Sequence, residues 1–186
     1  MKKNNYRIET DSLGKVKVAR NALYGAQTQR AVDNFPISGI KMDFPFTNSF
    51  VDSLGLIKDA AARANKKLSL LGSKKANAIS KASKEVWQSK RNEEFPLDVF
   101  QTGSGTSSNM NANEVIANLA SKYSGIQIDP NDDVNMSQSS NDVIPTAIKV
   151  SAYKDLTEKL YPALDKLILE IEKKEISLKG IIKTGR

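Results

Sequence analysis

The sequence contains no cysteine and no histidine. Without thiols there is no disulfide and no thiolate metal site, and any binding loop must work without imidazole. Aromatic residues are only 6% and are scattered, so no aromatic platform stands among basic residues to stack single-stranded nucleic acid. No run approaches the roughly 20 apolar residues of a membrane span. The first residues, MKKNNYRIET, carry two lysines but no apolar core. They do not read as a secretory signal, and an early acid with few Arg and Ser does not suit a transit peptide. The expectation is a cytoplasmic protein, although a cysteine-free chain fits any compartment.

What is present is enough for one ordinary domain or one and a half: 186 residues, 39% hydrophobic. The net charge of +7 invites a nucleic-acid reading. The arrangement of the lysines argues against it. Lys154, Lys159, Lys166, Lys173 and Lys174 alternate with Asp155, Glu158, Asp165, Glu170, Glu172 and Glu175, which is a solvated helix face of mixed sign. Neither a nucleic-acid nor a membrane partner is expected.

Residues 6–18 alternate apolar and polar around Ser-Leu-Gly, the pattern of a β-hairpin. ALYGAQTQRAVDNF then reads as an irregular polar segment ending at Pro36. From about Ser49 to Leu71 a helix is expected, with Leu54, Ile57, Ala61, Ala64 and Leu68 on its apolar face. Gly72 should stop it. Ser73 should cap the next helix, whose stripe is Ala76, Ile79, Ala82 and Val86, and Glu94-Phe95-Pro96 should close the pair. A further helix is expected from about Asn109 to Tyr123, capped by Ser107 or Ser108 and ended by Gly125. The longest helix should start at Asn141 or Asp142, with Pro145 in its first turn and a kink at Pro162. Its stripe, Ile148, Ala152, Leu156, Leu160, Leu164, Leu167 and Ile171, steps mostly by fours, unlike a coiled-coil seam. About 30 residues of helix would be roughly 45 Å long, too long for the preceding segment to cover. It should join a bundle whose other helices lie outside this chain.

Two polar loops, 102–109 and 136–142, run directly into helices. Each offers free backbone N–H groups at a positive dipole end, with short hydroxyl and amide donors. A P-loop would place Gly-Lys-Ser/Thr after its glycines, but Thr106 follows Gly105; a dinucleotide fingerprint would follow a strand and carry glycine at 108, where Ser stands. A small organic anion fits best. The alternative is that both loops are ordinary caps and turns rich in Ser, Asn and Gly.

The wording of three segments goes further. LYGAQTQRAVDNFPISG at 23–39, TGSGTSSNMNANEV at 102–115 and DPNDDVNMSQSSNDVIPTAI at 129–148 resemble class II fumarate hydratases, members of the fumarase/aspartase superfamily. The likeness runs over essentially the whole chain. GSGT at 103–106, SQSSND at 137–142 and GAQTQR at 25–30 look like fumarases; aspartases more often show GAGT and CQSTND. The alternatives kept open are aspartate ammonia-lyase and a non-catalytic helical interaction module.

The resemblance implies a mainly α fold with a small hairpin: an N-terminal lyase domain over 1–138, then the start of a central helical-bundle domain over 139–186. It implies reversible addition of water to fumarate, giving L-malate, by a homotetramer with no metal and no organic cofactor. Ser104, Gly105 and Thr106 would hold one substrate carboxylate, and Ser139, Ser140 and Asn141 would also hold substrate, at a site assembled from three subunits. Asp129, Pro130, Asn131 and Asp132 stand where fumarases usually have His-Pro-Asn-Asp as a secondary anion site, and Met136 stands where Lys is common. The family continues past the equivalent of Arg186 with Thr-His-Leu-Gln-Asp, and its general-base serine lies much later. The chain is therefore expected to be the N-terminal part of a longer enzyme, with no catalytic acid–base residue of its own.

Overall fold

The computed structural model describes residues 5–41 and 48–185. Lys2, Lys3 and Arg186 lie outside them. The chain divides into two compact units, 1–151 and 152–186.

The first unit opens with the expected hairpin, β1 (Tyr6–Asp11) antiparallel to β2 (Gly14–Ala19), with Ile8 opposite Lys17. The Arg7 guanidinium donates to the carbonyls of Ala19 (2.8 Å), Ala22 (2.7 Å) and Tyr24 (2.7 Å), which fastens the exit of the hairpin. The segment read as irregular contains a helix, α1 (Ala26–Asn34). Its polar sequence carries a weak local signal, and its start is fixed by a distant side chain: the Glu114 carboxylate accepts from the N–H groups of Gly25, Gln27 and Thr28 and from the Thr28 hydroxyl. A carboxylate on the first N–H groups of a helix satisfies orphan donors and complements the dipole. Gly25 permits the approach, since a Cβ there would lie 2.9 Å from Glu114 Oε1.

Helices α2 (Ser49–Lys67) and α3 (Ser73–Trp87) form the expected pair, with three corrections. The first ends at Lys67, before Gly72, because Ser69 takes a left-handed conformation and the N–H groups of Leu70 and Leu71 turn back to the Asn65 carbonyl. Its buried face is also rotated from the expected one: Val51, Leu54, Gly55, Lys58, Ala62 and Asn65 point inward, while Ala64 and Leu68 are exposed. Ser49, Asp52, Ser53, Lys58, Asp59 and Asn65 are also buried on this helix, so hydrophobic periodicity alone misplaces its inward face. The α3 stripe Ala76, Ile79, Ala82 and Val86 is buried as expected, although Ser73 is the first helical residue and makes no side-chain cap.

Helix α4 (Thr106–Ser124) crosses the middle of this unit. It begins earlier than expected and is capped by left-handed Gly105 (φ 75°) rather than by Ser107 or Ser108; Gly125 ends it, as expected. Leu54, Ile79, Val86, Val115, Ile116 and Ala120 are core residues gathered from α2, α3 and α4. A π-helical turn, Pro130–Val134, leads to α5 (Ser140–Asp155). This helix also starts early. The Ser139 carbonyl accepts from the N–H groups of Asp142 and Val143, and Pro145 therefore sits in the second turn, where it leaves the Asn141 carbonyl without its helical donor.

In the second unit a π-helical segment, Leu156–Leu160, precedes α6 (Tyr161–Ser177). The wider turn lies just before Pro162, where the missing N–H was expected to disturb the helix. The stripe along this stretch faces solvent: Ile148, Leu156, Leu160, Leu164, Leu167 and Ile171 are 40–58% exposed. Among the described residues, no helix is long and apolar enough to cross a membrane.

Candidate functional site

The starts of α4 and α5 lie against each other. Asn109, in the first turn of α4, donates from Nδ2 to Ser140 Oγ at 3.0 Å. A Cβ on Gly105 would meet the Ile144 side chain at 2.8 Å, so only glycine permits this approach, and its positive φ closes the position to other residues independently. The two loops singled out in the sequence therefore converge.

Within the first loop, Ser104 Oγ and Thr106 Oγ1 share a hydrogen bond of 3.0 Å at the surface. No side chain caps the α4 N-terminus, so its first N–H groups are left for water or a ligand. In the second loop Ser139 and Asn141 are exposed and Ser140 is half-buried; Ser139 Oγ accepts from the Asn141 N–H at 3.2 Å. All six residues expected to bind substrate thus sit at two adjoining helix starts. A cavity of about 250 Å³ beside them is lined by Phe50, Val99, Gly103, Gly105, Ile144 and Ile148 among others, an apolar floor next to polar rims.

The asparagines of the first motif behave differently from its hydroxyls. Asn109, Asn111 and Asn113 are buried, as is Glu114. Asn111 Nδ2 donates to the Glu94 carbonyl at 2.9 Å, and Glu114 organises the start of α1. These residues hold the fold, whereas Ser104 and Thr106 are exposed and the half-buried Gly105 lies against Ile144.

At the expected secondary anion site, Asp129 Oδ1 accepts from the N–H groups of Asn131 (2.7 Å) and Asp132 (2.8 Å). The chain's own carboxylate therefore occupies both of these backbone donors. Asp133 is buried and paired with Lys75 at 2.7 Å. A cavity of about 790 Å³ runs past Asp129 and Asn131 to Glu9, Asp11 and Glu114, so acidic groups line this side. Among the described residues no cluster of acids, histidines or cysteines could hold a metal ion.

One group beside the second loop escaped the sequence reading. Lys58 is fully buried, and its ammonium donates to Asn135 Oδ1 (2.9 Å) and Gln138 Oε1 (2.8 Å). Burial pushes its pKa down to about 7. A lysine four residues from Leu54 and from Ala62 on an inward stripe was the available signal.

Comparison with known proteins places the chain among lyases. A family model described as "Lyase" matches residues 14–186. The class II fumarate hydratase of Halobacterium salinarum is 51% identical over 187 residues, covering 98% of this chain and 39% of that protein. That of Xylella fastidiosa is 51% identical over 183 residues, covering 98% and 38%. The crystal structure of a class II fumarase from Schistosoma mansoni matches with a TM-score of 0.91 at 41% identity, covering 97% of this chain and 39% of that one. The chain thus spans about two-fifths of the length of these relatives. Matched by the family model from Gly14 to Arg186 and sharing half its residues with these relatives, the chain belongs to the lyase family of the class II fumarate hydratases and corresponds to their N-terminal portion.

Proposed function

We propose that the chain carries the carboxylate-binding loops of an enzyme that adds water reversibly to fumarate, giving L-malate. The observation that carries this reading is the meeting of two helix starts, each rich in neutral donors and free of basic side chains, at the Asn109–Ser140 hydrogen bond.

The chemistry explains the donor set. Removing the weakly acidic C3 proton of malate leaves a carbanion that survives as a dianionic aci-carboxylate, and this needs several aimed donors. The Ser104 and Thr106 hydroxyls, with the N–H of Gly105, hold one carboxylate; Ser139, Ser140 and Asn141 hold the substrate from the other side. Neutral donors tighten as charge develops without saturating the ground-state carboxylates. Proton transfer falls to residues that this portion does not contain, and the reading calls for no metal or organic cofactor.

The exposed stripe from Ile148 to Ile171 is the face by which four copies build a shared helical bundle, with 1–138 as the N-terminal domain and 139–186 as the start of the bundle. The enzyme works in the cytoplasm. Aspartate ammonia-lyase chemistry is the closest competitor. The test is to supply the full-length enzyme with fumarate, with and without ammonium, and to identify the product. Malate in both supports the reading; aspartate formed only with ammonium overturns it; no product with either leaves a helical module without catalysis and rejects it as well.

A further inference from the structure

The buried ammonium of Lys58 has no carboxylate within salt-bridge distance among the described residues. Its hydrogen-bond partners there are two neutral amides, Asn135 and Gln138, which immediately precede Ser139, Ser140 and Asn141. Both present their oxygens to Nζ, which turns their NH₂ ends toward the chain: Asn135 Nδ2 donates to the Gln138 carbonyl at 3.2 Å, and Gln138 Nε2 donates to the carbonyls of Val134 (2.9 Å) and Met136 (3.2 Å). The same Asn135 oxygen accepts from Asn109 Nδ2 at 3.2 Å, and that NH₂ group also reaches Ser140. One cation thus sets the orientation of the amides that close the turn beneath the second loop.

A buried charge without a counter-ion is costly and survives only where something balances it. Residues 101–109 and 136–142 contain no Lys or Arg, so the loops offer a dicarboxylate no basic side chain of their own. We propose that Lys58 is a positioning residue for the hydration site: its ammonium holds the 135–138 turn so that Ser139, Ser140 and Asn141 meet the substrate, and its charge attracts the dianion from beneath. The inference rests on the reading of 139–141 as substrate-binding.

The acids on the elements around Lys58 are engaged by other groups or exposed, and Asp52, buried on the same helix, accepts from Ser89 Oγ at 2.7 Å. Asp59 is bound by Ser80 and Arg63, Asp133 by Lys75 and Glu114 by the start of α1, while Asp142 is exposed. With burial holding its pKa near 7, Lys58 loses its charge and one donor as pH rises through that value. Fumarate is already a dianion there, so the change belongs to the protein.

The test uses the full-length enzyme. Its KM for fumarate should climb as pH rises from about 6 to 9. Lys58→Met keeps the length of the side chain and removes the charge; it should raise KM about 10-fold or more at the acidic end, leave kcat within about 3-fold, and flatten the pH course of KM. Should that variant fail to fold, Gln138→Met removes one acceptor and leaves the lysine, and the rise in KM should then begin at lower pH. A flat KM in the unsubstituted enzyme overturns the proposal, as does a folded Lys58→Met enzyme with unchanged KM and pH course, or a Gln138→Met enzyme with an unshifted one. Asn141→Ala separates the two readings. If it is impaired while Lys58→Met is normal, only the role of Lys58 falls; if it is normal, the loop reading falls and this inference with it.

Discussion

Glu114 on α4 accepts both the hydroxyl (2.6 Å) and the N–H (3.1 Å) of Thr28 on α1. With the N–H groups of Gly25 and Gln27 this makes four donors on one buried carboxylate. Glu114→Gln would turn an NH₂ group toward donors that need an acceptor. Losing such charge-assisted bonds should cost about 3 kcal/mol of stability, and denaturant unfolding of the full-length enzyme would measure it. Unchanged stability would mean that α1 is held by something else.

Thr106→Ala and Asn141→Ala should each lower fumarate hydration at least ~10-fold, because one aimed hydrogen bond to a charged group is worth about 1.5–3 kcal/mol. Both side chains are exposed, so helicity should be that of the unsubstituted enzyme. Normal turnover in both variants would remove the two-loop carboxylate site.

Asp129→His should free the N–H groups of Asn131 and Asp132 and replace a repelling carboxylate with a potential donor. Dicarboxylate occupancy at this turn should rise in soaked crystals with little change in turnover. The lost cap should cost about 1 kcal/mol of stability. Equal occupancy in both proteins would count against the account.

Polypeptide 1–186 alone should self-associate, since its stripe from Ile148 to Ile171 is exposed and hiding each large side chain is worth about 1.5–3 kcal/mol. Light scattering should report assemblies, and replacing Leu160, Leu164 and Leu167 with Gln should shift them toward monomer. A compact monomer before substitution would contradict the role given to the stripe.

Lys58 also predicts a pH dependence of stability. Its folded pKa lies near 7 and its ordinary value at 10.5. The unfolded chain therefore binds the extra proton between those values, and the folded state gains as pH rises. The contribution is fully present above 10.5 and is lost as pH falls through 7, at up to about 1.4 kcal/mol per pH unit. Lys58→Met should remove this slope from melting temperatures measured across the window.

Much of the fold could be read locally. The hairpin announces itself by alternation around Ser12-Leu13-Gly14, and the α3 stripe by its spacing. What could not be read depends on distant partners. Helix α1 is held by Glu114 from far along the chain, and the inward face of α2 includes Lys58 and Asn65 because amides and carbonyls of the 135–138 turn receive them. The site divides in the same way. Glycines and hydroxyls at 103–106 and 139–141 were legible as donors, but nothing local says that the neighbouring asparagines turn inward or that a lysine in α2 lies beneath the second loop.

The contact between Gly105 and Ile144 makes the spacing of the two loops a property of a missing atom. Any side chain at 105 must displace the side chain of Ile144. A trimmed residue at 144 could make room, but the left-handed backbone at 105 would remain strained. Tolerance to substitution at this seam should therefore be asymmetric: a smaller side chain at 144 still leaves room for a bare backbone, while any side chain at 105 meets both the contact and the positive φ. The gauge between the two helix starts is thus set by a vacancy, and geometry alone is enough to require it.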